Sequence, residues 1–316
     1  ISVVETGILT FGENNNLISA KFPLGVGLSF QDCSILKDVT FFEGGTKIDD
    51  SIFFGCTDLT NITIPNTVTE IEDYAFAQCT GISQIDIPDS VTSIGEGAFY
   101  KSGLAEVTIP GTVTTIGDYA FEECENLKKA TINTGVKNIG EEAFAGCPNL
   151  ENVDVPDSVE SVGNNAFDGS DGVTIDTSKP YFKPEVSGIK NMTYTGKQLV
   201  QADLKIVVNG KELKKDTDYT VKYSNNVKAG KAGINIEFKG QYTGSITGNF
   251  TIAKADFAKT ASVSGLVNAT YTGKAITQNK LTVKAFGAAL KSGTDYTVSY
   301  KNNINAGKAE VTITGK

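Results

Sequence analysis

The sequence predicts a mostly β fold: a repeat solenoid of about seven 23-residue coils with short 3₁₀ or turn segments, followed by two small β-sandwich modules, the last incomplete. Three observations predict it. Phenylalanine recurs at a nearly constant step, short apolar/polar alternations end at proline, and the second half of the chain repeats itself at a longer constant offset. A fixed period of the length seen in the first half is typical of a solenoid, whose coils bury their apolar faces only by stacking.

Two series of residues predict the interior of the solenoid. Cysteine follows phenylalanine by three residues in five coils, and Ser102 and Ser170 take the same place in two others. Because serine replaces it there, we interpret the cysteines as small buried thiols and not as metal ligands or nucleophiles. Aromatic rings at a constant step predict a buried stack. The phenylalanines are residues 30, 53, 76, 99, 121, 144 and 167, and the cysteines are residues 33, 56, 79, 124 and 147.

The residue pattern within each coil also predicts its local structure. Residues 62–64, 85–87 and 107–109 alternate apolar and polar side chains, as a half-buried strand does, and proline ends each one. Stacking of the coils is expected to pair these strands into one parallel sheet. The following Val-x-x-Ile predicts a second short strand, and Ala-Phe-x-x-Cys predicts a tight or 3₁₀ turn. Residues 1–29 match the repeat poorly and predict an N-terminal cap.

Over about residues 30–175, the pattern Leu-x-x-Ile-x-Ile-Pro-x-x-Val-x-x-Ile-Gly-x-x-Ala-Phe-x-x-Cys resembles the BspA-like leucine-rich repeats of bacterial surface proteins. Asn133 in the proline position and serine in two cysteine positions depart from it. The resemblance implies a curved right-handed leucine-rich repeat solenoid, an extracellular location at the bacterial cell surface, and adhesion to matrix proteins, cells or other bacteria. It implies no catalytic activity and no cofactor, and it supplies no binding residue.

The second half of the chain contains a longer repeat. Tyr194-Thr-Gly recurs as Tyr271-Thr-Gly, and Asp218-Tyr-Thr-Val recurs as Asp295-Tyr-Thr-Val. These modules resemble the immunoglobulin-like (Ig-like) tandem domains of bacterial surface proteins. The second lacks a counterpart of residues 246–252, so we expect the natural chain to continue. The expected domains are the N-terminal cap 1–29, the solenoid 30–176, a linker 177–184, Ig-like module 1 at 185–254 and Ig-like module 2 at 255–316.

Composition and charge exclude several classes of function. The chain has no His, no Trp and no Arg, which removes the commonest general base, the commonest zinc ligand and the bidentate anion clamp. We therefore expect no enzyme, no metal site and no cofactor. Residues 1–179 carry a net charge of −20 and residues 180–316 a net charge of +11. The acidic half would repel nucleic acid. No apolar run is long enough for membrane insertion, and we expect the signal and anchor to lie outside this sequence.

The candidate site is a strip of polar residues between the core positions of the first strand of each coil. Their alternation predicts that they point outward, on the concave side of the solenoid. Few aromatic residues lie among them, which argues against a strong sugar-stacking groove. We expect adhesion to, or binding of, a host or bacterial surface protein or glycan, with the Ig-like modules as a stalk. A targeting appendage of a larger cell-surface enzyme and a structural spacer are the alternatives. The outward strip comprises Asn61, Thr63, Gln84, Asp86, Glu106, Thr108, Lys129, Asn152 and Asp154.

Overall fold

The computed structural model describes residues 2–3, 9–12, 16–42 and 44–316. Their secondary structure is almost entirely β, which confirms the predicted class; the described residues include one four-residue α-helix and one short 3₁₀ helix. The chain divides into two compact units. The first comprises Ile1–Ser187, Lys205–Thr220 and Ile236–Ile246, and the second comprises Gly188–Leu204, Val221–Asn235 and Thr247–Lys316. The domain boundaries given above stay a prediction.

The part of the chain up to Asp176 contains sixteen short strands among its described residues. Most span only a few residues, because each coil turns again soon after it enters a sheet. They are β1 (Ser2–Val3), β2 (Leu9–Thr10), β3 (Ser19–Pro23), β4 (Leu28–Ser29), β5 (Asp38–Phe42), β6 (Lys47–Ile48), β7 (Asn61–Ile62), β8 (Glu70–Ile71), β9 (Ser93–Ile94), β10 (Glu106–Ile109), β11 (Thr115–Ile116), β12 (Lys129–Ile132), β13 (Asn138–Ile139), β14 (Asn152–Asp154), β15 (Ser161–Val162) and β16 (Ile175–Asp176).

The first strands of the coils form two parallel sheets and not the single sheet that we expected. One has the order β3-β5-β7 and the other the order β10-β12-β14. Between them, residues 84–87 occupy the same place in their coil but have no strand assignment. The interruption lies beside a one-residue deletion between Ser102 and Leu104, which makes this coil one residue shorter than those before it.

The second strands of the coils form the longer sheet. Its six strands have the order β15-β13-β11-β9-β8-β6, and the neighbours pair in parallel. This confirms the short strand predicted from Val-x-x-Ile. Val162, which ends β15, is half-buried, and the isoleucine that ends each of the other five strands is buried; the residue before each of them is exposed or half-buried.

The N-terminal residues continue the coils. Strand β3 pairs in parallel with β5, and its Phe22 is buried together with the following Leu24. Strands β1, β2 and β4 form a separate three-stranded sheet. The N-terminal cap at 1–29 stays a prediction. Ile1 and residues 4–8 and 13–15 of the predicted cap lie outside the described residues.

The phenylalanines stack in one column, as the spacing predicts. Successive ring centroids from Phe30 to Phe167 lie 5.1–5.9 Å apart, with interplanar angles of 5–17°. Phe11 extends the column by one ring, 5.1 Å from Phe30 and nearly parallel to it. Phe11 precedes Phe30 by less than one regular step of the repeat, so the constant spacing did not reveal it. The stack is the continuous core that joins one coil to the next.

The cysteines form a second column and are buried, as predicted. The Cys56 thiol donates to the Phe30 carbonyl oxygen at 3.1 Å, and the Cys79 thiol donates to the Phe53 carbonyl oxygen at the same distance. Where serine takes the position, the Ser170 hydroxyl donates to the Phe144 carbonyl oxygen at 2.7 Å. The column therefore supplies donors to carbonyl groups that stacking removes from water.

A column of glycines lies where the backbones of successive coils approach each other closely. It follows the second strand of four coils. A Cβ added at Gly117 would lie 2.5 Å from the Gly95 carbonyl carbon and 2.7 Å from the Glu96 nitrogen. Backbone atoms cannot give way to such a contact, so only hydrogen fits there. The glycines are Gly95, Gly117, Gly140 and Gly163.

The last coil is joined to a segment far along the chain, within the first compact unit. Strand β16 pairs in parallel with residues 242–243. The Asn209 amide donates to the Val162 carbonyl oxygen at 3.1 Å, and the Asn165 backbone nitrogen donates to the Asn209 carbonyl oxygen at 2.7 Å. These bonds satisfy backbone groups of the final coil that no further coil would meet.

Residues 185–316 form the later β-sandwich-like sheets; their resemblance to Ig-like domains stays a prediction. In module 1, β17, β19 and β20 form one sheet, and a second has the order β18-β24-β22-β21. In module 2, β25, β26 and β27 form one sheet, and β28 pairs with β29. The elements are a 3₁₀ helix (Pro180–Phe182), β17 (Glu185–Ser187), β18 (Met192–Thr193), β19 (Lys205–Val208), β20 (Lys211–Glu212), β21 (Tyr219–Ser224), β22 (Gly230–Phe238), β23 (Tyr242–Thr243), β24 (Ser245–Ala253), α1 (Phe257–Thr260), β25 (Ala261–Ser264), β26 (Thr282–Ala285), β27 (Ala288–Ala289), β28 (Tyr296–Lys301) and β29 (Glu310–Gly315).

Candidate functional site

The structure places the residues of the outward strip on the first strands of the coils or in the corresponding segments. Within the second of the two sheets the register is direct: Glu106 lies opposite Lys129, and Lys129 lies opposite Asn152. The intervening Val107 and Ile109 are buried. The period of two along each strand therefore separates the core from the surface, and coil stacking aligns the surface positions in rows.

The eight strip residues whose side chains the structure describes are all exposed or half-buried. The first row also begins one coil earlier than predicted, because the Asn61 amide donates to the Asp38 carboxylate at 2.6 Å. With Asp38 included, the rows carry four carboxylates and one ammonium group, that of Lys129. The surface is negative, and its groups mostly accept hydrogen bonds. The carboxylates are those of Asp38, Asp86, Glu106 and Asp154.

The outward strip is concave in its middle, where strand pairing is interrupted. A groove of about 410 Å³ lies there, and four strip residues line it together with Asp89 and Asn133. Three carboxylates and two side-chain amides thus share one concavity, above an apolar floor that includes Ile85 and Val107. Such groups can accept hydrogen bonds from the ammonium, guanidinium or hydroxyl groups of a ligand. The four strip residues are Gln84, Asp86, Glu106 and Thr108.

A second concavity of about 540 Å³ lies at the C-terminal end of the strip, around Asp154. Lys179 pairs with Asp157 there, and this hydrogen bond raises the pKa of the lysine. The hydroxyl and backbone of Ser178 lower the pKa of Asp176, and partial burial raises the pKa of Tyr181. An aromatic ring and an ion pair therefore lie beside the last strip residue.

Sequence reasoning missed this aromatic contribution. Lys179 and Tyr181 fall in the segment predicted as a linker, but the 3₁₀ helix there buries Phe182 against Phe167, with ring centroids 6.2 Å apart. The anchored turn brings Tyr181 to the end of the strip. The available signal was the pair of aromatic residues directly after Pro180, since solvated linkers carry few aromatic residues.

The buried thiols do not form a reactive centre. Burial raises the pKa of Cys56 and Cys147 to about 12 and that of Cys124 to about 11, so these groups stay protonated at neutral pH. A protonated thiol is a poor nucleophile and a poor metal ligand. Within the described ranges, no three His, Cys, Asp or Glu side chains are grouped so that they could hold a metal ion.

The described residues contain no helix that is long and apolar enough to cross a membrane.

Comparison with known proteins identifies the repeat. A family model described as "BspA type Leucine rich repeat region" matches residues 13–124 and 46–174, in six copies. Together these matches cover just over half of the 316 residues. The curated protein sequences contain no significant match to the chain.

Solved structures similar to this chain are also leucine-rich repeat proteins. A leucine-rich repeat protein of T. pallidum has 26% sequence identity and a TM-score of 0.46, over 54% of this chain and 86% of that one. A leucine-rich repeat protein of Bacteroides ovatus has 25% identity and a TM-score of 0.47, over 55% of this chain. This chain spans half the length of the B. ovatus protein.

Proposed function

We propose, from the premise that the chain belongs to the BspA-type leucine-rich repeat family of bacterial surface proteins, that it binds a surface protein through the outward strip. In this proposal the protein is extracellular, the solenoid recognises the partner, and modules 1 and 2 hold the solenoid away from the cell. The partner carries lysine or arginine side chains on the face that it presents.

The observation that carries the proposal is the acidic groove in the middle of the strip. Asp86, Asp89 and Glu106 line a concavity of about 410 Å³, and polar amide groups flank them. Strand pairing fixes the backbone at Glu106, so the main chain there needs little ordering when a ligand arrives. An exposed row of carboxylates attracts a basic partner and speeds its association, chiefly at low ionic strength.

The chemistry of the strip favours a protein over a neutral glycan. The described strip residues contribute no aromatic ring on which a sugar could stack, and Tyr181 supplies a ring only at the C-terminal end. A basic protein surface, in contrast, supplies donors to every carboxylate of the row. Glycan binding centred on Tyr181 is therefore the outcome that would change the proposed partner class.

Charge reversal tests the proposal. The test variant carries Asp86→Lys, Glu106→Lys and Asp154→Lys, and the full chain is screened against purified extracellular-matrix proteins and a glycan array. We expect the test variant to bind such a protein probe at least about tenfold more weakly than the unmodified chain does. The three lysines would repel a basic partner, which slows its association and speeds its dissociation. The loss should shrink as salt is raised.

The matched control reverses three exposed acids away from the strip, Asp58, Glu125 and Asp171, with the same change in net charge. It should keep the affinity of the unmodified chain. Equal losses in both variants would mean that only net charge matters, and unchanged binding in the test variant would exclude the strip. Glycan binding lost with Tyr181→Ala but kept after charge reversal would exclude a basic protein as the partner.

A further inference from the structure

The second concavity, at the C-terminal end of the strip, combines an aromatic ring with charged groups of both signs. Its volume is about 540 Å³, within the range of sites that take small ligands. Every residue that lines it lies in the first compact unit. The ring is that of Tyr181, and the charged lining residues are Asp154, Asp157, Asp176 and Lys179.

Packing against the core holds the Tyr181 ring in place. The adjacent Phe182 is only 4% exposed and contacts Phe167, the last ring of the phenylalanine column, with ring centroids 6.2 Å apart. The Tyr181 ring meets the Phe182 ring at a centroid distance of 5.0 Å and an interplanar angle of 68°. Tyr181 itself stays half-buried. A ring that is ordered before a ligand arrives loses little conformational freedom on binding.

The charges around this ring are mostly negative. Partial burial raises the pKa of Tyr181, and the Lys179 ammonium lowers it. The carboxylates of Asp157, Asp176 and Asp154 each raise it. All four charged groups therefore lie within electrostatic reach of one phenol. Three carboxylates against one ammonium leave a net negative charge around the ring.

One ammonium group of the chain itself already occupies part of the concavity. The Lys179 ammonium donates to a carboxylate oxygen of Asp157, and this bond raises the pKa of the lysine. Among the described residues, Lys179 is the only lysine that lines the concavity. The hydroxyl and backbone nitrogen of Ser178 lower the pKa of Asp176, which therefore stays ionised at neutral pH. The carboxylates of Asp154 and Asp176 are thus available to a second cation.

An arginine side chain of a partner matches this combination better than a lysine or a neutral sugar. A planar guanidinium stacks on a tyrosine ring while its edge donates to carboxylates on either side. A lysine ammonium is a compact, strongly hydrated charge and loses more hydration when it enters such a site. A neutral sugar can stack on the ring, but it brings no charge to balance the carboxylates that it covers.

We propose that the second concavity is an anchor site for one arginine of the basic protein that the outward strip binds. This assignment rests on the proposed function, since the arginine belongs to that partner. The guanidinium lies against the Tyr181 ring and donates to the carboxylates of Asp154 and Asp176. Lys179 competes for the same negative charges, so its removal strengthens binding. Arginine and tyrosine are the residue types that supply much of the binding energy at protein interfaces.

Titration of the full chain with short capped peptides tests the anchor site without the unidentified partner. The probe is a glycine peptide with a central arginine, and the matched controls carry citrulline or lysine in its place. Aromatic NMR signals of a chain labelled on tyrosine report binding, and the Tyr181 signal is assigned from its loss in Tyr181→Phe. The arginine peptide should shift that signal saturably. The citrulline peptide has nearly the same shape but no charge, so it should bind at least about tenfold more weakly, and the lysine peptide should also bind more weakly.

Variants of the concavity are compared through the saturation-transfer signals of the peptide itself. Tyr181→Leu keeps an apolar side chain but removes the ring, and it should weaken binding of the arginine peptide about tenfold. Lys179→Met should strengthen binding. The matched control Lys183→Met changes an exposed lysine outside the concavity and should bind like the unmodified chain. Equal binding of the arginine and citrulline peptides, unchanged binding by Tyr181→Leu, or equal gains in both lysine variants would overturn the anchor site.

A strip variant separates the anchor site from the proposed function. Asp86→Lys with Glu106→Lys leaves the lining of the concavity unchanged, so it should bind the arginine peptide like the unmodified chain at physiological ionic strength. Weaker protein binding by that variant, without arginine-specific peptide binding by the unmodified chain, would overturn the anchor site and leave the proposed function standing. Arginine-specific binding at Tyr181 without any strip-dependent protein binding would support the site and overturn the proposed function.

Discussion

Replacing Phe99 by alanine removes one ring from the middle of the aromatic stack. Phe99 is fully buried, with Phe76 at 5.3 Å and Phe121 at 5.1 Å on its two sides. Loss of its apolar surface costs about 3 kcal/mol. The two lost ring pairs add about 0.5–1.5 kcal/mol each, so we expect a total loss of about 4–6 kcal/mol.

Unfolding of the Phe99→Ala solenoid should also be less cooperative, because each coil contacts only its neighbours. Urea unfolding followed by circular dichroism measures both effects, as a lower midpoint and a shallower or divided transition. The control is Phe42→Ala at a position that is 47% exposed, which should cost less than about 1 kcal/mol. A loss below about 1.5 kcal/mol for Phe99→Ala, with one unchanged steep transition, would refute the reasoning that the ring column joins the coils.

Three further predictions concern other columns and the last coil. Gly117→Ala should destabilise the chain by more than about 2 kcal/mol in urea unfolding, since its Cβ would overlap the backbone of Gly95. Tyr242→Ala should speed hydrogen exchange in β15 and β16, because the buried ring belongs to the strand that pairs with β16. The thiols' contribution to the free energy of unfolding should be constant below about pH 8 and fall as pH rises above 9, because the unfolded chain releases thiol protons near pH 9 whereas folded Cys56 and Cys124 keep them to about pH 12 and 11.

Each of these predictions has an outcome that contradicts it. Gly117→Ala with unchanged stability would mean that the coils can separate at no cost. A Tyr242→Ala protein whose solenoid exchanges as slowly as before would show that the final coil does not depend on its distant partner strand. For the pH dependence, a Cys124→Ser variant should show a smaller fall above pH 9, and an identical fall would assign the effect to other groups.

The regular residues of the solenoid could be predicted from the sequence because equal steps along the chain become equal steps in space. The phenylalanine step predicted the ring column, and serine in the cysteine position predicted that the thiols are structural. The outward position of Asp86 and Glu106 followed from the period of a strand. Each of these inferences needed only local sequence and the repeat length.

The remaining features depend on contacts without periodicity. Strand β16 pairs with residues 242–243, far along the chain, and no spacing indicates that partner. The sheet is interrupted at 84–87, where the groove of the strip lies, next to the one coil step that is a residue shorter. Tyr181 reaches the strip because Phe182 is anchored against Phe167.

The most direct test of the account is a hydrogen-exchange footprint of the chain with and without a bound protein probe. Binding through the outward strip predicts slower exchange in residues 84–87 and in strands β10 and β12, with the six-stranded sheet unchanged. Slower exchange confined to β9, β11 and β13 of the six-stranded sheet would contradict it, because the partner would then occupy the other strand face of the coils.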